Sequence, residues 1–209
     1  MRPKRRYEKG YPQHIVNRGN NRQACFLDSQ DYRMFLTVLK ECAQEHRVPI
    51  HAFVLMTNHF HLLATPPQAN SLSKLMQSLG RQYVRYFNDR HGRSGSLWED
   101  RYKAAIVNTD SYLLTVYRYI ELNPLRANMV EELHRYPWSS YQQNGLGKKI
   151  TFLTPHDIYL SLGATDELRR ARYQNLINEA LTAREVDAIR RGTQTTQFIG
   201  DDNFLQKLT

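Results

Sequence analysis

The sequence has few cysteines and no long apolar run. Cys25 and Cys42 are the only cysteines among 209 residues and form no Cys-x-x-Cys pair, so we expect neither structural disulfides nor a thiolate zinc site. No apolar run is long enough to cross a bilayer, and the basic residues 1–6 have no apolar stretch behind them. Internal repeats and low-complexity tracts are also lacking. We therefore expect a cytoplasmic globular protein with no secretory signal and no membrane partner.

Acidic residues are outnumbered, and the excess of positive charge is uneven. The net charge is +9. Residues 1–150 hold 22 Lys and Arg against 12 Asp and Glu, whereas residues 151–209 hold 7 against 8. A basic segment interleaved with aromatic side chains is typical of proteins that bind nucleic acid, because unpaired bases stack on such rings. A solvated basic surface without a partner is the competing interpretation.

The order of predicted elements indicates an α+β fold, a ferredoxin-like split βαβ antiparallel sheet with helices on one face. Predicted strands cover 12–17, 48–56, 59–65 and 97–108, and predicted helices cover 31–45, 71–88 and 110–123. Ser29 is the expected cap of the first helix, and Asp110 or Ser111 that of the third. A composition break at 145–149 predicts a domain over 1–150, followed by a helical tail over 151–209. Within the tail we predict helices at 166–181 and 183–191 and a loop at 192–197.

Two histidines one residue apart interrupt an apolar stretch at 54–66. On a strand, His59 and His61 point to the same face, so their imidazoles lie side by side. A shared cation would satisfy both rings, whereas two solvent-facing histidines without a role are the alternative. A metal site normally needs three or four ligands, so other segments must supply the rest.

The third predicted helix carries a phenol and a carboxamide on one flank. Leu113, Val116, Tyr117 and Ile120 form its buried stripe, while Tyr119 falls outside it and Asn123 follows four residues later. Asn123 is a candidate third metal ligand and Tyr119 a candidate nucleophile. A phenol has a pKa near 10 and leaves more readily than an alkyl alcohol, which suits reversible strand transfer. A surface tyrosine and a helix end before Pro124 are the alternatives.

Several ordered motifs resemble those of the HUH endonucleases and the single-tyrosine transposases. The segment 58–63 (NHFHLL) resembles the histidine-hydrophobic-histidine motif, and 119–127 (YIELNPLRA) resembles the catalytic-tyrosine helix. The segments 16–20, 98–103 and 136–141 resemble other family motifs, so the resemblance spans about residues 10 to 142. The tail makes the chain more similar to the REP-associated tyrosine transposases, which process hairpin-forming repeats.

The resemblance implies roles for individual residues. His59 and His61 would bind a divalent metal, Mg²⁺ or Mn²⁺, and Asn123 stands where the family helix places an amide ligand. Tyr119 would attack a phosphate of single-stranded or hairpin DNA, forming a 5′-phosphotyrosine link and freeing a 3′-hydroxyl. Family members include dimers that exchange helices and monomers, so the sequence leaves the choice between monomer and homodimer open.

We therefore predict a metal-dependent transposase that nicks and rejoins single-stranded DNA. Arg101 and Lys103 share a strand face and, with Arg18 and Arg22 near the loop 18–22, are the predicted DNA contacts. A non-catalytic nucleic-acid-binding module of repressor type is the first alternative. A metal-dependent phosphodiesterase in which water attacks and Tyr119 is incidental is the second.

Overall fold

The sheet that forms the centre of the molecule has five strands. The computed structural model describes residues 9–108 and 112–200, and its strands follow the order β2-β3-β1-β4-β5 across the sheet. The strands are β1 (Gln13–Arg18), β2 (Ile50–Met56), β3 (His59–Ala64), β4 (Lys103–Val107) and β5 (Phe198–Ile199). The longer helices are α1 (Ser29–Glu45), α2 (Ser71–His91), α3 (Leu113–Glu121), α7 (Asp166–Asn178) and α8 (Ala183–Thr195). Short helices are α4 (Asn123–Arg126), α5 (Tyr141–Asn144) and α6 (Asp157–Leu160).

The topology confirms the predicted split βαβ arrangement. β1 lies between β3 and β4 and is antiparallel to both, and the turn at residues 57 and 58 joins β2 and β3 into an antiparallel hairpin. The sheet also has a fifth strand, β5, which pairs parallel to β4 and makes the sheet mixed. The predicted loop at 192–197 is wrong in its first four residues, because α8 continues through Thr195 before β5 begins.

One face of the sheet is covered by α1 and α2. Ile15, Phe60 and Leu62 point from the strands into this layer and are at most 1% exposed. The cap of α1 differs from the prediction, since Asp28, not Ser29, accepts hydrogen bonds from the backbone of Gln30 and Asp31. Arg90 at the end of α2 binds the same carboxylate, with 2.6 Å between Arg90 Nη2 and Asp28 Oδ2, so the cap also joins the two helices.

The opposite face is covered in part by α3 and by the tail. Buried side chains of both segments share one apolar cluster there, in which Tyr117 of α3 packs against Tyr159 and Tyr173. The tail therefore packs against α3. The division of the chain at residue 150 stays a prediction, because a shared cluster does not test whether residues 1–150 fold alone.

The strand predicted at 97–108, at least in its second half, is confirmed there by β4, and the residues before β4 make an isolated bridge between Trp98 and Gly19. The predicted caps Asp110 and Ser111 lie outside the described residues, in which Tyr112 precedes the first turn of α3. Within the described residues, no helix is long and apolar enough to span a membrane.

Close packing between α8 and β5 explains why the loop prediction failed at Gly192. A Cβ atom at this position would lie 2.3 Å from the carbonyl oxygen of Phe198 and 2.7 Å from Ile199 Cγ1. The lack of a side chain at Gly192 therefore lets α8 and β5 pack closely, although the composition of the surrounding residues resembles that of a loop.

Gly192→Ala is therefore expected to lower the free energy of unfolding by about 1–3 kcal/mol, because β5 must move away from α8. Gly80→Ala is the matched control, since a Cβ there meets Trp98 Nε1 at an ordinary 3.8 Å within a helix, and it should stabilise by about 0.5–1 kcal/mol. Urea unfolding of both variants checks this. Equal stabilisation by the two substitutions would contradict the packing account.

Candidate active site

The two histidines of β3 lie side by side, as the sequence predicts. Arg18 of β1 is the register partner of His59, and Val16 is that of His61. The imidazole centroids of His59 and His61 are 5.1 Å apart, with the rings edge to face. His61 is buried and His59 is half-buried, so the pair sits at the boundary between the protein interior and an open cleft.

Both rings have one nitrogen occupied and one left for a ligand. His59 Nδ1 lies 2.7 Å from Asn58 Oδ1, and His61 Nδ1 lies 2.9 Å from His14 Nε2. Burial lowers the pKa of His59 to about 4 and that of His61 well below 6.5, so both are neutral at pH 7. Neutral imidazoles with a free Nε2 are the form that binds metals.

The tyrosine of α3 reaches the histidine pair within one chain. The Tyr119 ring centroid is 5.8 Å from that of His61, with the rings edge to face, and the side chain is 7% exposed. The guanidinium carbon of Arg126 lies 5.1 Å from the same ring centroid. A cation over an aromatic face is attracted by the ring, so Arg126 places positive charge beside the phenol.

Asn123 also borders this cleft. Its amide nitrogen donates to the backbone oxygen of Tyr119 at 2.7 Å, which leaves the amide oxygen for a ligand. Two imidazole nitrogens and one amide oxygen, with positions open for water and phosphate, fit a divalent cation of the Mg²⁺ or Mn²⁺ type. Across residues 9–108 and 112–200, no group of three or more His, Cys, Asp or Glu side chains is placed to hold a metal ion.

The cleft has a volume of about 380 Å³, and basic side chains outnumber acidic ones in its lining. Three of the predicted DNA contacts, Arg18, Arg101 and Lys103, line it, whereas Arg22 is exposed in a neighbouring 3₁₀ helix and does not line it. Glu99 and Asp100 contribute acidic groups to the rim. Positive side chains around a site of this size suit the backbone of a bound polyanion.

The sequence analysis missed several residues of the cleft. His14 of β1 is 1% exposed and hydrogen-bonds His61, and Arg190, Thr193 and Gln194 come from α8 in the tail. His14 shares its strand face with Arg18 by alternation, which was a readable signal. Its proximity to His61 depended on the strand register, and the approach of α8 depended on tertiary packing.

A buried carboxylate holds α3 against the tail. Glu121 is fully buried and accepts hydrogen bonds from Ser140 Oγ at 2.5 Å, Asn144 Nδ2 at 2.8 Å and the Tyr173 hydroxyl at 2.7 Å. Burial raises the pKa of Glu121 to about 7, against the opposing effect of the three donors. The network fixes the helix only two residues from Tyr119.

A ferredoxin-like sheet with a histidine pair facing a helix tyrosine is the arrangement that the resemblance to the single-tyrosine transposases implies. The family model described as "Transposase IS200 like" matches residues 9–123, and the chain belongs to this family. Family membership assigns it a transposase role on DNA.

One solved structure supports the fold, and a second is also similar. The structure of a REP-associated tyrosine transposase bound to a REP hairpin matches with a TM-score of 0.61 and 17% identity, over 75% of this chain and 98% of that chain. A transposase-like protein from Deinococcus radiodurans R1 has 20% identity over 58% of this chain and 96% of its own, with a TM-score of 0.40. None of the curated proteins matches the chain. The first likeness establishes a shared fold, and function has to be argued from the site.

The Glu121 network predicts a specific pH dependence of stability. The carboxyl titrates near 4.5 when unfolded and at about 7 when folded, so the folded state holds a proton that the unfolded chain has released. The contribution of Glu121 to the free energy of unfolding is fully present below pH 4.5. It falls by about 3 kcal/mol as the pH rises towards 7.

Glu121→Gln keeps an acceptor for Ser140 and Asn144 but cannot ionise, so this fall should disappear. Urea unfolding between pH 4.5 and 7.5 measures it, and Glu41→Gln at an exposed position is the control that keeps the wild-type profile. A Glu121→Gln profile parallel to the wild type would show that the carboxyl does not titrate in this range.

Proposed function

We propose that this transposase nicks and rejoins hairpin-containing single-stranded DNA through a covalent 5′-phosphotyrosine at Tyr119. The observation that carries the proposal is the 5.8 Å separation between the rings of Tyr119 and His61, on one cleft and in one chain. A nucleophile beside a candidate metal site with basic walls suits phosphoryl transfer better than DNA binding alone.

His59 and His61 would hold a Mg²⁺ or Mn²⁺ ion through their Nε2 atoms, with Asn123 contributing its amide oxygen. When bound, the ion would polarise the scissile phosphate and offset the charge that develops on it. The Asn58 carboxamide oxygen can only accept, so its hydrogen bond with Nδ1 of His59 keeps that ring in the tautomer with a free Nε2. The buried surroundings keep both rings neutral.

Tyr119 would carry out the covalent step. Its hydroxyl oxygen forms a bond to phosphorus and its proton passes to solvent. The bond between phosphorus and the 3′ oxygen breaks, and the 3′ oxygen takes up a proton from solvent to become a 3′-hydroxyl. The phosphotyrosyl ester keeps the energy of the broken bond, so attack by a 3′-hydroxyl can rejoin DNA. Arg126 holds the tyrosine ring and provides positive charge near the reacting phosphate.

Arg18, Arg101 and Lys103 would bind phosphates along the cleft, and Arg22 would contact DNA beside it. The REP hairpin bound to the similar structure supports hairpin DNA as the substrate. All proposed catalytic and metal-binding side chains come from one chain, which supports action without residues from a second copy. These features leave the choice between monomer and homodimer open.

Tyr119→Phe should eliminate covalent attachment to labelled hairpin DNA, because the nucleophilic oxygen is lost while the ring remains. Denaturing gels after incubation with Mg²⁺ detect the adduct. EDTA in the incubation should prevent the wild type from forming it. Tyr112→Phe, at a half-buried tyrosine preceding α3, should form the adduct normally.

Two results would favour the alternatives. Full cleavage by Tyr119→Phe would indicate attack by water. Wild-type binding of hairpin DNA without an adduct on any single-stranded substrate would indicate a non-catalytic binding module.

Substitutions of Arg101 and Lys103 by Ala should weaken DNA binding and reduce its salt dependence. Each lost phosphate contact should lower the slope of log K against log salt by about 0.7 for single-stranded DNA. Fluorescence anisotropy over a salt series measures this. Arg85→Ala removes an exposed charge on α2, away from the cleft, and should leave the slope unchanged; equal slopes for all variants would remove Arg101 and Lys103 from the interface.

A further inference from the structure

A chain of hydrogen bonds connects the tail to the candidate metal site. Thr193 Oγ1 donates to the carbonyl oxygen of Ile189 at 2.7 Å and lies 2.9 Å from His14 Nδ1. His14 Nε2 lies 2.9 Å from His61 Nδ1. The Thr193, His14 and His61 side chains are at most 6% exposed, so protein groups and not bulk water determine where their protons reside.

The carbonyl at the end of the chain sets the direction of every bond. A carbonyl oxygen only accepts, and a hydroxyl has one proton, so Thr193 uses its proton on Ile189 and must accept from His14 Nδ1. A buried imidazole stays neutral and carries one proton, so His14 Nε2 has a bare lone pair. That lone pair accepts from His61 Nδ1, and His61 Nε2 is left unprotonated.

The opposite direction would disable His61 as a ligand. If Thr193 donated to His14 Nδ1, then His14 Nε2 would donate to His61 Nδ1, and His61 Nε2 would carry a hydrogen. A protonated Nε2 has no lone pair for a cation. The position of one hydroxyl proton in α8 therefore decides whether His61 can bind a metal through Nε2.

We propose that Thr193 and His14 are positioning residues that hold His61 in the tautomer with a free Nε2, so that α8 forms part of the metal site. This inference rests on the proposed metal-dependent function and extends it to residues beyond the family match, which ends at residue 123. If this chain of hydrogen bonds had only a structural role, it would satisfy buried polar groups without altering the metal affinity of the site.

The test combines metal binding with direct observation of the tautomer. Mn²⁺ affinity is measured without DNA by electron paramagnetic resonance, and the imidazole ¹⁵N shifts of His61 are recorded in the metal-free protein. Thr193→Val removes the hydroxyl at nearly constant volume, and Thr193→Ser keeps it. Thr195→Val is the matched control, because Thr195 makes the same hydrogen bond to a carbonyl four residues earlier, at 2.9 Å from Arg191 O, but does not line the cleft.

We expect the wild type to show a protonated Nδ1 and a bare Nε2 at His61. Thr193→Val should bind Mn²⁺ about 10- to 100-fold more weakly and show mixed tautomers, since loss of a partner one shell from the ligand has effects of this size. Thr193→Ser and Thr195→Val should bind Mn²⁺ with an affinity within about threefold of that of the wild type. Such a difference is too small to reflect loss of a partner one shell from the ligand.

Two results would overturn the proposal. One is a protonated Nε2 at His61 in the wild type, and the other is wild-type Mn²⁺ affinity in folded Thr193→Val. A wild-type protein that binds no Mn²⁺ would instead remove the metal from the proposed function. The ¹⁵N shifts of His61 would still show the direction of the hydrogen bonds from Thr193 through His14 to His61.

Discussion

The antiparallel register between β1 and β3 is the constraint on which the candidate site depends. Pairing of Arg18 with His59 and of Val16 with His61 puts the cleft-facing residues of both strands on one side of the sheet. A slip by one residue would turn every side chain of β1 to the other face. The apolar residues on that other face, including Ile15 and Phe60, pack against α1 and α2. The core that stabilises the sheet therefore also fixes the site.

The helix carrying Tyr119 is held from two sides. Residues two apart on a helix point about 200° from each other, so Tyr119 faces the sheet while Glu121 faces α5 and α7. The buried carboxylate binds Ser140, Asn144 and Tyr173 and so ties α3 to the segment behind it. The polar network costs desolvation free energy, but it holds the helix in one position because three donors from behind α3 converge on one buried carboxyl group.

Local patterns predicted much of the fold but not the contacts made at distance. The strands at 48–56 and 59–65, the helix at 71–88 and the side-by-side histidines follow from alternation and helical spacing, which are properties of neighbouring residues. Local preference did not distinguish Asp28 from Ser29 as the cap of α1, and the bond from Arg90 of α2 to Asp28 is a contact made at distance. Gly192 looked like a loop residue because the approach of Phe198 cannot be read locally. Neither His14 nor the tail threonine that contacts it was predicted from the sequence, because their contact joins distant segments.

The polar side chains of the second sheet face show why the site and the tail belong together. Apolar residues at positions 14 and 61 would pack there without cost, whereas buried imidazoles destabilise a sheet unless their nitrogens are paired. Thr193 pairs one nitrogen of His14, and His14 pairs one nitrogen of His61. His61 also lines the cleft, which offers its remaining nitrogen a space large enough for a ligand in place of a protein partner. Departures from apolar packing concentrate at functional sites, and here the departure extends from the cleft into α8, so the helix that covers the sheet edge also completes the surroundings of the histidine.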